Sequence, residues 1–238
     1  MNSPVDSKND PPAGQSVEQE FKDFVYIVSH DFNAPLRHIK QATVILLRNL
    51  EGKMTDDERR FASIIEKSVN KCQTMMQALT QYSRLNTQAW DFSEVDCNDV
   101  LAQVVERLQA LIQERQAVVK VEPLPGVVGD RVQLNMLFHH LIENALKFCP
   151  DDVKPIIKVK SVANGALSTF TVEDNGAGIG EKFRERVFEM FYRTDPSSPH
   201  CGVGAGLTIC RKIVSRHGGK IWVEASESDG TAVIFQIA

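Results

Sequence analysis

The chain has 238 residues, 42% of them hydrophobic and 24% charged, so it can bury a core in one or two domains. A net charge of −4 and a pI near 5.9 argue against nucleic acid as the main partner. No apolar run approaches the roughly 20 residues of a membrane span, and the N-terminus lacks a signal-peptide core. Cys72, Cys97, Cys149, Cys201 and Cys210 contain no C-x-x-C pair, which points to reduced, mostly buried thiols in a cytoplasmic protein rather than a zinc site or disulfide framework.

Residues 1–15 are rich in Pro, Asp, Ser and Asn and read as a disordered tail. From Val17 a helical pattern begins: Phe21, Val25, Val28, Phe32, Pro35, Ile39, Ala42 and Leu46 alternate in steps of four and three, a narrow seam. The pattern fails at Glu51-Gly52-Lys53, a tight turn, and resumes from Thr55 to Leu85. Phe61, Ile64, Ile65, Ser68, Cys72, Met75, Met76, Leu79 and Tyr82 form the second apolar face. Two such helices make a hairpin with little core of its own, so residues 16–88 are expected to dimerise into a four-helix bundle.

A boundary is expected near Asn86–Trp90, and residues 89–238 change texture to short alternating elements. Strands are expected at Phe92–Val95, Val118–Val121, Ile156–Val162, Leu167–Glu173, Ile221–Ala225 and Ala232–Ile237. Helices are expected at Cys97–Ala117, from an Asp130 cap to Phe148, and at Gly206–His217. Asn164-Gly165 signals a hairpin. The pattern indicates an α+β sandwich, one mixed sheet with helices on one face.

Asp174–Ile179 reads D-N-G-A-G-I at the end of the Leu167–Glu173 strand. An acceptor-only carboxylate followed by Gly176 and Gly178 suits close approach of a nucleotide base or phosphate. Gly202-Val203-Gly204-Ala205-Gly206-Leu207 opens a helix, whose free N–H groups favour phosphate oxygens. Asn144 offers a hard amide oxygen suited to Mg²⁺, with Lys147 on the same helix face to neutralise a phosphate. Phe188–Arg193 is aromatic-rich and leads into Thr194–Cys201, a Pro/Ser stretch that reads as a mobile lid. No G-x-x-x-x-G-K-[ST] occurs, and neither glycine cluster fits G-x-G-x-x-G.

Asn144-x-x-Lys147-Phe148, then D-N-G-A-G-I, F-E-M-F-Y-R and G-V-G-A-G-L, resembles the N, first-glycine, F and second-glycine boxes of sensor histidine kinases. Ser29–Arg37, S-H-D-F-N-A-P-L-R, resembles their phosphoacceptor H box, nearest to the H-D-L-x-x-P-L variety of phytochrome-like kinases. The resemblance covers about Val17 to Ala238. It implies an ATP-dependent autokinase of a two-component system that phosphorylates His30 and passes the group to an aspartate on a response regulator receiver domain. ATP and Mg²⁺ are the implied ligands. Asn144 would hold the metal, Asp174 the adenine amino group, and Gly176 and Gly178 the shape of its pocket. Lys147, Phe148, Tyr192, Arg193, Gly202, Gly204, Gly206 and Leu207 complete the implied ATP set. A homodimer and an upstream sensor domain or protein are the implied partners; nucleic acid and a direct membrane span are not expected.

His30 is also legible on its own terms. Val28 and Phe32 occupy the seam, which turns His30 outward as a largely neutral, nucleophilic imidazole. Asp31 is placed to orient the ring or take its proton, and Pro35 should bend the helix beyond it. His38, His200 and His217 read as surface or capping residues. His139 and His140 point about 100° apart on a helix and are not expected to share a metal.

Three positions depart from the family pattern: His140 where a second Asn is frequent, Ala205 for Leu, and Ala34 where bifunctional members carry Thr or Asn. Ala34 cannot hydrogen-bond a water, so a kinase-dominant enzyme is expected. An ATP-driven clamp of the same superfamily would need a general-base Glu at position 140, and Glu143 lies on another face. A non-enzymatic dimeric docking module is the remaining alternative.

Overall fold

The computed structural model describes residues 13–50, 52–85, 92–164, 167–195, 202–227 and 229–237. The chain separates into two units, divided between Thr87 and Gln88. The expected boundary segment, the tail through residue 12 and most of the expected lid lie outside the described residues.

The first unit is a helical hairpin of α1 (Ala13–Asn49) and α2 (Asp56–Leu85), in contact along their length. Helix α1 begins inside the expected tail and continues through Pro35. At the turn, the Lys53 N–H donates to the Leu50 carbonyl at 2.9 Å. Thr55 then starts α2 with a reciprocal cap. Its N–H donates to Glu58 Oε2 at 2.7 Å, and the Glu58 N–H returns to Thr55 Oγ1 at 3.3 Å. Asp56, Asp57 and Glu58 add negative charge where the helix dipole favours it.

The single hairpin leaves much of its two apolar stripes uncovered. Val25 is buried and Val28 half-buried, but Phe32, Ile39 and Leu46 stay outside, as do Phe61, Ile64 and Ile65, with exposures from 45% (Ile65) to 63% (Phe61). A pair of helices can cover only the faces they turn to one another. On α1 that burial reaches Thr43, whose hydroxyl donates to the Ile39 carbonyl at 2.8 Å and so enters without an orphan.

The second unit holds β1 (Ser93–Asp96), α3 (Cys97–Arg107), α4 (Gln109–Glu114), β2 (Val118–Val121), β3 (Gly126–Gly129), α5 (Arg131–Lys147), β4 (Ile156–Asn164), β5 (Leu167–Asp174), α6 (Gly206–Arg216), β6 (Lys220–Ala225) and β7 (Thr231–Ile237). Five strands form a mixed sheet in the order β2-β4-β5-β7-β6, with β2 parallel to β4 and the other pairs antiparallel. Helices α5 and α6 pack on it. Phe170 and Phe235 are register partners on β5 and β7 and stack at 5.0 Å, while Phe138 of α5 meets both edge-on at 6.0 and 5.7 Å. All three are fully buried, each worth about 2–3 kcal/mol of apolar transfer.

Three details differ from expectation. A second sheet pairs β1 antiparallel with β3, a four-residue Gly-flanked strand with no pattern of its own. The expected helix over Cys97–Ala117 breaks at Leu108 (φ −90°, ψ 4°), which lets both Leu108 and Ile112 turn inward. Asn164 pairs with Leu167, so the β4–β5 link is residues 165–166, one later than expected and outside the described residues. Among the described cysteines Cys97, Cys149 and Cys210 are buried but Cys72 is exposed; burial, and then Asp96, pushes the Cys97 thiol up to about 12.

Candidate nucleotide-binding site

Asp174 ends β5, and its side chain is held by backbone from two directions. Oδ1 accepts the Gly176 N–H at 2.9 Å and the Thr231 N–H at 3.0 Å. The Asp174 carbonyl accepts the Ser226 hydroxyl at 2.9 Å, tying the end of β5 to the β6–β7 connection. Burial raises the Asp174 pKa above the ordinary carboxylate value, the two N–H groups opposing it. Gly178 has φ +70°, and a Cβ there would meet the Asp229 carbonyl at 2.9 Å, so only glycine fits. Gly176 packs on the Phe148 carbonyl, which also accepts the Ala177 N–H at 3.0 Å.

That carbonyl belongs to the end of α5, the helix carrying Asn144. Asp130 caps α5 as expected, its Oδ1 accepting Val132 N–H at 2.8 Å and Gln133 N–H at 2.9 Å. Asn144 reaches the start of α6: a Cβ placed on Gly206 would lie 3.7 and 3.8 Å from its amide nitrogen and oxygen. Ala205 offers no side chain to cap α6, so the first-turn N–H groups of Gly206 and Leu207 point out of the helix. A hard amide oxygen beside an uncapped helix start fits a magnesium-bound triphosphate. Lys147, one turn along α5, pairs with Glu143 at 2.7 Å.

The aromatic segment docks onto the glycine loop. The Phe191 N–H donates to the Gly204 carbonyl at 2.8 Å, and the Thr208 hydroxyl donates to the Phe188 carbonyl at 2.8 Å. Gly204 has φ +77°, with the Tyr192 carbonyl against the position a Cβ would take. The Arg186 guanidinium lies 4.2 Å over the Tyr192 ring, and Arg193 donates to the Asp195 carbonyl at 3.3 Å. Among the described residues nothing lies within 4 Å of the position a Cβ on Gly202 would take. The second unit therefore joins Asn144, Phe148, Asp174, Gly176, Gly178, Tyr192, Gly204, Gly206 and Leu207 by backbone or close packing. His30 and Asp31 lie on α1, in the first unit, and Asp31 is exposed.

Sequence reasoning passed over Asn175 and Thr208. Asn175 Oδ1 accepts the Ile156 N–H at 2.7 Å, and its amide donates to the Lys154 carbonyl at 3.0 Å, which pins residues 154–156 to the D-N-G-A-G-I bend. The adjacent Asp174 was the only hint. Of the two roles expected for His217, surface or capping, it takes the second, and is buried: Nε2 accepts the Asp130 N–H at 3.1 Å, so Nδ1 donates to the Ile213 carbonyl at 2.8 Å. The separation expected for His139 and His140 is also corrected. With Glu143, each brings a ligating atom within 4.8 Å of the other two, because long side chains converge where Cα directions diverge.

Residues 129–238 match the family of histidine kinase-, DNA gyrase B- and HSP90-like ATPases. The phytochrome-like protein Cph1 of Synechocystis is 32% identical over 218 residues, 92% of this chain and 29% of that protein. The methanogenesis regulatory histidine kinase FilI of Methanothrix harundinacea is 31% identical over 219 residues, 92% of this chain and 24% of that protein. The chain belongs to the sensor histidine kinase family. The catalytic domain of histidine kinase ThkA superposes with a TM-score of 0.54 at 28% identity, covering 62% of this chain and 97% of that one. These likenesses bear out the expected ATP-binding α+β fold with its mixed sheet and the resemblance to phytochrome-like kinases. This histidine kinase segment spans less than a third of the two curated relatives. Among the described residues no helix is long and apolar enough to cross a membrane.

Proposed function

We propose that the chain is an ATP-dependent protein-histidine autokinase of a two-component system, with His30 as acceptor. The observation that carries this reading is the gathering of Asn144, Asp174 and the uncapped start of α6 within an ATPase-family domain. Asp174 accepts the adenine amino group, and its two N–H partners keep the carboxylate from swinging away. The first-turn N–H groups of α6 and Lys147 meet the phosphates. Asn144 would hold Mg²⁺, which when bound neutralises charge on the triphosphate.

In the transfer, a His30 ring nitrogen attacks the γ-phosphorus, forming an N–P bond as the bond to the ADP oxygen breaks. The ring loses its remaining proton to Asp31 or to water. The phosphoryl group then passes to an aspartate of a receiver domain. The exposed stripes of α1 and α2 support a homodimer in which a second hairpin covers them. Ala34 supports a kinase-dominant balance, since its side chain cannot position a water for regulator dephosphorylation.

Incubation with γ-labelled ATP and Mg²⁺ is expected to give an acid-labile, alkali-stable phosphoprotein. ATP binding without any such label would favour the docking-module reading instead.

A further inference from the structure

Helix α5 carries His139, His140 and Glu143, so Glu143 stands one turn from His139 and at i+3 from His140. One nitrogen or oxygen from each lies within 4.8 Å of the other two, and all three residues are half-buried. The imidazoles sit 6.0 Å apart, centroid to centroid, and nearly perpendicular at 86°. The Nε2 of His140 is buried without a hydrogen-bond partner. Leaving such an atom buried and unpaired is unfavourable. Among the described residues no group compensates that cost.

We propose that His139, His140 and Glu143 form a binding site for a divalent transition metal of the zinc class. Two imidazoles and a carboxylate are a zinc donor set that leaves one position for water. Imidazole suits zinc and its neighbours, whereas magnesium prefers oxygen, so this site differs from Asn144 in the metal it favours although His140 Nδ1 and the Asn144 amide both lie within 3.8 Å of the Cβ position of Gly206. A neutral imidazole keeps the lone pair that ligation needs. Zinc bonds of about 2.0–2.1 Å place tetrahedral ligand atoms roughly 3.3 Å apart. Ligation therefore requires side-chain torsions that draw the three atoms in from 4.8 Å.

Lys147 holds one oxygen of Glu143 at 2.7 Å and is the metal's competitor for it. Zinc binding therefore loosens Lys147 from Glu143. The proposal does not rest on the kinase reading, because the metal alone is the probe.

The test is zinc titration of the full chain, without nucleotide, in competition with a chromophoric chelator. Cys72→Ser and Cys201→Ser are made throughout; of the remaining thiols, Cys97, Cys149 and Cys210 are buried. One zinc per chain is expected. Glu143→Gln and His139→Asn should each weaken binding at least tenfold with melting temperature unchanged, and Lys147→Met should tighten it several-fold. Absence of zinc uptake, or equal affinity in the parent and Glu143→Gln, overturns the assignment.

Discussion

Thr231, at the start of β7, donates its N–H to Asp174 Oδ1 across 3.0 Å and 57 residues of sequence. With Gly176 on the same oxygen, the carboxylate is locked to the sheet by two main-chain groups. Its charge and its orientation are therefore separable by substitution.

Asp174→Asn keeps an oxygen that can accept both N–H groups but removes the charge. Calorimetric titration is expected to show at least a tenfold loss of ATP affinity, with stability changed by less than about 1 kcal/mol. Asp174→Ala leaves two donors unpaired and should cost about 1–3 kcal/mol for each. Parental ATP affinity in Asp174→Asn would remove Asp174 from the site.

The Gly204 junction gives a second contrast. Gly204→Ala forces a side chain into φ +77° and against the Tyr192 carbonyl. Urea denaturation should show a loss of about 1–3 kcal/mol, with weaker nucleotide binding as the glycine loop shifts. Gly202→Ala meets nothing within 4 Å among the described residues and should leave stability within about 0.5 kcal/mol. Equal stability losses at the two positions would refute this reading of the loop.

His217 sets a pH dependence. Burial lowers its pKa below the ordinary 6.5, and Nε2 cannot take a proton without giving up the Asp130 N–H. The folded state thus favours the neutral ring. That contribution is fully present above about pH 6.5 and is lost as pH falls through the depressed value. Burial depresses His139 and His140 in the same direction. Melting temperature should fall between pH 7 and pH 5, and the slope should be shallower in His217→Gln. An unchanged slope in that variant would exclude His217 as a source.

Much of the site was legible because its signals are local. Asp130 caps α5 through groups two and three residues away, and Asp174 announces itself by the glycines that follow it. What escaped depends on tertiary partners. The Leu108 break carries no Gly or Pro, and β3 exists only through its pairing with β1. Thr208 finds the Phe188 carbonyl twenty residues away. His139 and His140 were separated by their Cα directions, which ignore how far an imidazole reaches toward Glu143. The seam through Phe32, Ile39 and Leu46 marked apolar residues correctly, but periodicity cannot say which partner covers them.

The central claim is that His30 receives the phosphoryl group from ATP held at Asp174. Its most direct test compares the parent with His30→Gln, measuring ATP affinity and acid-labile label from γ-labelled ATP on the same samples. The expected result is unchanged affinity with the label abolished. Label persisting in His30→Gln would contradict the account.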